Sequence, residues 1–319
     1  MRVGGFARFA WGVLAYDLAV VAWGAYVRAT GSGAGCGRHW PLCNGEIVPQ
    51  SPRIQTLVEL SHRVSSGVAL VLAAALLVWA LRAFPRGHLV RKGAVVGMGL
   101  MLMEAGIGAA LVLFELVAHD ASMKRALSVS LHLGNTFLLL AATALTAWWA
   151  SGGAPPSVRG QRAVVSLLAV PVLAMFFVGA SGAITALGDT LFPPSSLAAG
   201  FAQDLAPGAH AFVRLRALHP VLASLTAGVI IITSGLVRTL RPSKSVRVLS
   251  RVAAVFAMAQ VAAGLLDVAT LAPVWLQLVH LVMADAVWVA LVLLAAAALA
   301  CEPSAVRPQT GVDAVTARP

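Results

Sequence analysis

Eight long apolar segments constrain this chain more than any other feature of its sequence. A helix rises about 1.5 Å per residue, so roughly 20 apolar residues cross the hydrocarbon core of a bilayer. Charged residues make up 11% of the chain, against roughly a quarter in soluble domains. We therefore predict an all-α integral membrane protein with eight transmembrane helices. These lie at about 9–28, 57–81, 93–117, 126–149, 163–187, 215–237, 252–271 and 275–300.

The basic residues indicate how these helices are oriented. The net charge is +11, and most of the 23 lysines and arginines lie at the two termini and around 82–92, 159–162 and 238–251, all on one side of the predicted membrane. Positive residues favour the cytoplasmic side. We predict a multi-pass protein of the cell (plasma) membrane with both termini cytoplasmic. The same distribution favours membrane lipid over nucleic acid as a partner.

The chain divides into two halves of four helices each. A linker at 151–162 is rich in glycine and proline and separates the N-terminal half, 1–150, from the C-terminal half, 163–300. The last segment, 301–319, is expected to be a disordered cytoplasmic tail. Sequence likeness between the halves predicts two pseudo-symmetric four-helix bundles that arose by duplication.

Four histidines occupy matching positions in the two halves: His62, His132, His219 and His280. Each is predicted to lie one or two turns inside the external end of an even-numbered membrane helix. Imidazole within hydrocarbon is costly unless it is paired or ligated. A hydrogen bond between helices explains a single histidine well, but repetition at the same place in both halves indicates one shared task.

Haem binding is the task that we predict for these histidines. Two histidines on facing helices of a four-helix bundle can bind haem iron from both sides. We expect one site between His62 and His132 and a second between His219 and His280. Small residues such as Gly67 would leave room for the flat macrocycle. Zinc is the competing metal, but a closed zinc site needs four ligands in a tight tetrahedron.

The two halves differ three residues before the first histidine of each. Glu59 precedes His62, whereas Arg216 precedes His219. Residues three apart share one face of a helix, so the Glu59 carboxylate can lie over the haem edge. As a catalytic residue there, it could stabilise a developing cation or accept a proton. A glutamate that merely caps the helix near its N-terminus is the alternative.

The first external loop contains Cys36 and Cys43 on the oxidising side of the membrane. A disulfide closing this glycine-rich loop is the simple expectation. The sequence leaves open whether it is a structural link or takes part in redox chemistry. Cys301, at the inner end of the last helix, is expected to be incidental.

Further polar residues lie near the predicted haem level. Arg63, Arg214 and Arg216 could pair with haem propionates, although arginines at helix ends also extend their charge towards water. Glu104 is a candidate for a proton path, since buried acids in membrane helices are costly and its counterpart in the second half, Gln260, is polar too.

Taken together, these motifs resemble the haem A synthase family over about residues 10–300. The resemblance is carried by the Thr-Gly-Ser-Gly sequence from Thr30, the Trp-Pro-Leu-Cys sequence ending at Cys43, the Glu59-x-x-His62 signature and the single histidines of later helices. Two departures are that residues 188–214 lack a second cysteine pair and that an acid stands at Glu104, where we expect an amide.

The resemblance implies an oxidoreductase of haem biosynthesis. Such an enzyme oxidises one methyl group of haem O to a formyl group by successive hydroxylation and yields haem A for terminal oxidases. The N-terminal half would hold substrate haem O between His62 and His132, and the C-terminal half would hold haem b between His219 and His280. Haem O synthase, a farnesyltransferase, and the assembly of a terminal oxidase are the implied partners, and a homo-oligomer is left open.

Two other functions compete with this one. A di-haem b cytochrome that passes electrons from quinol shares the paired histidines but has no need of Glu59 or the cysteine loop. A transporter built from two repeats would bind no haem, and its buried polar residues would cluster near the middle of the membrane.

Overall fold

Nine α-helices occupy most of residues 3–300, the part of the chain that the computed structural model describes. The predicted tail at 301–319, with Cys301, lies outside the described residues. The helices are α1 (Val3–Ala29), α2 (Ile54–Ala83), α3 (Leu89–Leu113), α4 (Met123–Ala150), α5 (Arg162–Leu191), α6 (Leu197–Leu205), α7 (Ala211–Leu240), α8 (Lys244–Ala269) and α9 (Val274–Ala298).

Eight of these helices, all except α6, are long and apolar enough to cross a membrane. The prediction of an all-α membrane protein with eight spanning helices is confirmed. The short helix α6 was not predicted, and it lies in the connection between the fifth and sixth predicted membrane helices. Ser196 caps it, with its hydroxyl accepting a hydrogen bond from the backbone N–H of Ala199.

Some helices begin or end several residues away from the predicted ends of the apolar segments, because capping residues and backbone conformation determine those ends. α8 begins at Lys244, well before the predicted 252, because Ser243 caps it and basic side chains continue the helix beyond the apolar stretch. α3 ends at Leu113 instead of 117, because Glu115 has a φ of 56° and so leaves the helical conformation.

The helices of each half pack in the same order. In the first half, α1 and α3 each pack against both α2 and α4, and in the second half, α5 and α8 each pack against both α7 and α9. Consequently α2 faces α4, and α7 faces α9, across their own bundles. The connections 30–53 and 192–210 lie at one end of the molecule, which we call the long-loop end.

Aromatic packing and hydrogen bonds connect the two halves. Trp288 of α9 stacks on Phe137 of α4 with ring centroids 5.1 Å apart, and its indole N–H donates to the Phe137 carbonyl over 2.6 Å. At the long-loop end, Arg28 of α1 donates to the carbonyl of Ala186 on α5 over 2.7 Å and to Oε1 of Gln277 on α9 over 2.9 Å. These contacts fix the halves side by side.

Candidate functional site

All four repeated histidines lie near the long-loop end. They sit on α2, α4, α7 and α9, which all begin at that end, and each follows the start of its helix by about two turns. Their positions in the sequence are 62, 132, 219 and 280. The shared depth follows from the even number of spans in each half, which brings equivalent helices back to the same end.

His219 and His280 face each other across the second bundle. Their ring centroids are 6.5 Å apart and the ring planes are nearly perpendicular, at 87°. A metal bound between two imidazoles, with bonds of about 2 Å and about 1 Å from each nitrogen to its ring centre, separates the centroids by about 6 Å. The spacing of these two rings therefore fits a single iron held between them.

His62 and His132 lie on α2 and α4, the two helices that face each other across the first bundle. The Nδ1 atoms of both rings are buried and, among residues 3–300, have no hydrogen-bond partner. The same holds for Nδ1 of His280. Buried polar atoms are nearly always satisfied, so unpartnered imidazole nitrogens suit residues that bind a group outside the protein chain.

The carboxylate of Glu59 is buried one turn before His62, and its side chain contacts the first long loop. Its Oε2 accepts a hydrogen bond of 2.7 Å from the backbone N–H of Cys36. Its Oε1 lies 2.5 Å from a guanidinium nitrogen of Arg63. With 3% of its surface exposed, Glu59 is a buried, charge-paired acid and not a solvent-facing helix cap.

The loop of residues 30–53 is closed by the disulfide between Cys36 and Cys43, as expected. Both cysteines are fully buried. Arg63 also donates to two carbonyls of this loop, those of His39 over 2.6 Å and Leu42 over 2.7 Å. Glu59 and Arg63 thus tie the disulfide loop to the face of α2 that carries His62.

Gly35 allows the loop to approach α2 closely. A Cβ atom at this position would lie 2.4 Å from the carbonyl oxygen of Gln55 and 2.6 Å from the backbone nitrogen of Thr56. Only a residue without a side chain fits so close to another backbone. The carbonyl of Gly35 in turn accepts a hydrogen bond of 2.8 Å from the Thr56 hydroxyl.

Arg216 holds the second long loop in a comparable way but with the opposite charge. Its guanidinium lies 2.5 Å from Oδ1 of Asp204 on α6 and 3.2 Å from Oδ1 of Asp189 on α5. It also donates to the side-chain oxygen of Gln203 over 3.1 Å. This loop has no cysteine pair, and the mostly buried ion pair of Arg216 with Asp204 connects it to α7 instead.

Glu104 and Gln260 occupy equivalent places beside a histidine. Oε1 of Glu104 on α3 lies 3.4 Å from Nδ1 of His132, although the two are not aligned for a hydrogen bond. The side-chain nitrogen of Gln260 on α8 lies 3.2 Å from Nε2 of His280. Glu104 also accepts hydrogen bonds from Asn135 and Thr136, so it is placed by α4 as well.

The arginines proposed as propionate partners all have contacts within the protein. Arg63 pairs with the buried carboxylate of Glu59, and Arg216 pairs with the partly exposed carboxylate of Asp204. The exposed side chain of Arg214 donates to the carbonyl of Pro207. Sequence reasoning missed Asp189 and Asp204 as partners of Arg216. The signal was present, since an unpaired arginine is unfavourable near a membrane helix and two acids lie in the adjoining segment.

The fold and the site define a class: a polytopic membrane protein in which two four-helix bundles each bring a pair of histidines to one level near the same end. The particular family follows from sequence comparison. Residues 7–292 match the COX15-CtaA family of cytochrome oxidase assembly proteins, and the chain belongs to this family.

The chain is similar to proteins that carry two different names. A Thermus thermophilus protein named protoheme IX farnesyltransferase is 51% identical over 294 residues, which are 92% of this chain and 48% of that protein. Heme A synthase of Geobacillus kaustophilus is 42% identical over 97 residues, 30% of this chain and 31% of the relative. Heme A synthase of Staphylococcus saprophyticus is 38% identical over 106 residues, 33% and 35% respectively. The chain thus spans about half the length of the Thermus relative.

Proposed function

We propose that this protein is a haem A synthase, an oxidoreductase that converts a methyl group of haem O into a formyl group. The observation that carries the proposal is the 6.5 Å spacing of the His219 and His280 rings in a chain of the cytochrome oxidase assembly family. His62 and His132 stand on the equivalent helices of the first half. Relatives named heme A synthase support the choice within that family.

Each half would bind a different haem. His62 and His132, in the half at 1–150, would hold substrate haem O, and His219 and His280, in the half at 163–300, would hold haem b as the cofactor. When bound, haem iron supplies the one-electron chemistry that oxidation of a methyl group requires. The chain's own contribution is to orient the imidazoles and to exclude water from the bundle interior.

Glu59 is the proposed catalytic carboxylate of the first half. Arg63 and the N–H of Cys36 hold its two oxygens in place, one helical turn before His62 in the sequence of α2. A negative charge that is positioned before the reaction can stabilise positive charge that develops at the oxidised methyl carbon. The second half has Arg216 at the equivalent place, which is why we assign catalysis to the first half.

Partners and location follow from the same proposal. A farnesyltransferase that makes haem O would supply the substrate, and the half-length match to a relative named protoheme IX farnesyltransferase supports close association of the two activities. The product would pass to a terminal oxidase during its assembly. We place the protein in the plasma membrane with both termini cytoplasmic, on the distribution of lysine and arginine.

The test is to express the chain in a host that supplies haem O, purify it, and identify the extracted pigments by pyridine haemochrome spectra and mass analysis. Haem B together with haem O, haem A or a hydroxylated intermediate is the expected result. Haem B without any formyl or hydroxylated haem would instead favour an electron-transfer cytochrome. A protein purified without haem would favour a transporter.

Histidine variants assign the two sites. His219→Ala or His280→Ala should remove the low-spin b-type spectrum, whereas His119→Ala, an exposed residue at the same end, should leave it unchanged. An unchanged spectrum in the His219 and His280 variants would overturn the assignment of the second site.

A further inference from the structure

Three of the four histidine rings lie against a glycine of the neighbouring helix, an arrangement that we call a glycine notch. His62 lies against Gly24 of α1, His219 against Gly182 of α5, and His280 against Gly264 of α8. A Cβ atom at these glycines would lie 2.9, 3.0 and 2.9 Å from Cε1 of the respective ring. In each notch the space that a methyl group would occupy is used by imidazole.

These distances do not allow any side chain at the three glycines without a shift of the ring. At Gly24 the added atom would also lie 3.1 Å from Nε2 and 3.7 Å from Nδ1 of His62, so it would meet a whole edge of the imidazole. The ring can turn away within its own helix, so the protein can still fold. Its nitrogens would then no longer point where they do now, and ligation requires a placement accurate to roughly 0.5 Å.

The fourth histidine differs from the other three. A Cβ atom at Gly108 of α3 would lie 3.9 Å from Cε1 of His132, an ordinary van der Waals contact. Gly108 follows Glu104 by four residues, as Gly264 follows Gln260, so the two glycines are equivalent in the halves. On its Gly108 side, the His132 ring therefore has space that the ring of His280 lacks on its Gly264 side. The His132 side chain is 29% exposed, and its nearest acidic oxygen, Oε1 of Glu104, is 3.4 Å from Nδ1 without a hydrogen bond.

We propose that Gly24, Gly182 and Gly264 are positioning residues that hold three imidazoles in a ligating orientation, and that His132 is the movable ligand of the first half. The inference rests on the proposed haem sites. The second half, with both rings held, suits a resident cofactor. The first half, with one ring held and one free to withdraw, suits a haem that enters as substrate and leaves as product.

The experiment uses the purified, haem-loaded protein and alanine variants of the notch glycines. Gly182→Ala and Gly264→Ala should convert part of the haem b from six-coordinate low-spin to five-coordinate high-spin iron. The affinity of the reduced protein for carbon monoxide should rise roughly tenfold, because a displaced imidazole competes less well for the iron. Gly24→Ala should have the same effect on the haem of the first half.

Matched controls lie on helices of the same bundles. Gly106→Ala, two residues from Gly108, and Gly228→Ala on α7 add a methyl group where nothing lies within 4 Å, and they should leave spectra and carbon monoxide binding unchanged. Gly108→Ala should also have no effect. Wild-type spectra in both second-half notch variants, or a Gly108→Ala effect as large as theirs, would overturn the proposal.

A second measurement needs no glycine variant and so does not depend on their folding. Transfer of haem from the wild-type protein to apomyoglobin should be roughly tenfold faster from the first half than from the second. Equal rates would contradict a movable His132. A wild-type protein that purifies without haem would refute the proposed function itself, and a loaded protein that is insensitive to the notch variants would refute this inference alone.

Discussion

The ion pairs of Arg216 allow a prediction whose size can be estimated from the structure. The guanidinium is mostly buried and pairs with Asp204 at 2.5 Å and with Asp189 at 3.2 Å. Removing one partner of a buried ion pair leaves an uncompensated charge and costs about 3–5 kcal/mol. Arg216→Met, which keeps most of the side-chain volume, should therefore lower the free energy of unfolding by about that amount.

The control is Arg214→Met on the same helix. Its guanidinium is exposed and contacts a single carbonyl, so its loss should cost less than about 1 kcal/mol. Thermal unfolding in detergent should show a large fall in Tm for the Arg216 variant and almost none for the control. Limited proteolysis should also cut within 192–210 faster when Arg216 is replaced.

A double-mutant cycle tests the cause. Removing the nearer orphaned carboxylate as well, in Arg216→Met with Asp204→Asn, should recover part of the lost stability, because only the carboxylate of Asp189 is then left without its partner. Equal unfolding temperatures for Arg216→Met and Arg214→Met would contradict a role of the ion pairs in holding this loop. So would a double variant in which Asp204→Asn lowers the stability by as much as it does in the wild-type protein.

Three further outcomes follow from the site and the core. Glu59→Gln keeps an oxygen that can accept a hydrogen bond from the N–H of Cys36 but removes the negative charge. The variant should retain haem but produce at least about tenfold less formyl haem, measured by mass analysis. Full turnover would mean that Glu59 only anchors the loop. Gly35→Ala should destabilise the protein by about 1–3 kcal/mol in thermal unfolding, because its Cβ would overlap the backbone of α2, and an unchanged Tm would mean that the loop does not pack there. Asp17, 3% exposed and with no partner for its carboxylate oxygens in the described part of the chain, is costly to bury; Asp17→Leu should raise stability by about 1–3 kcal/mol, and a lowered Tm would indicate a required partner.

The membrane architecture was predictable from the sequence because it depends on local properties. The length of an apolar segment decides whether a helix crosses the hydrocarbon, and all eight spanning helices were found in this way. Helix ends were less accurate, since polar caps such as Ser243 and the positive φ of Glu115 act outside the apolar pattern.

The sequence also allowed us to predict that the four histidines lie at the same depth in the membrane. Once the number of spans is known, the distance of a histidine from the start of its helix determines its depth, and repetition in both halves identifies the set. The sequence could not reveal what surrounds each ring. Gly67, which we expected near the macrocycle, has nothing within 4 Å of an added Cβ, whereas Gly24, Gly182 and Gly264 contact the rings.

By itself, the sequence determined the number of membrane helices, the matching positions of the four histidines and the cysteine pair, because apolar length and residue spacing act along the chain. The tertiary structure alone decided that Glu59 binds the disulfide loop through Cys36, that Arg216 pairs with Asp189 and Asp204, and that glycines of neighbouring helices border three imidazoles. These contacts join residues far apart in sequence, and they depend on the distance and rotation of packed helices, which no local pattern encodes.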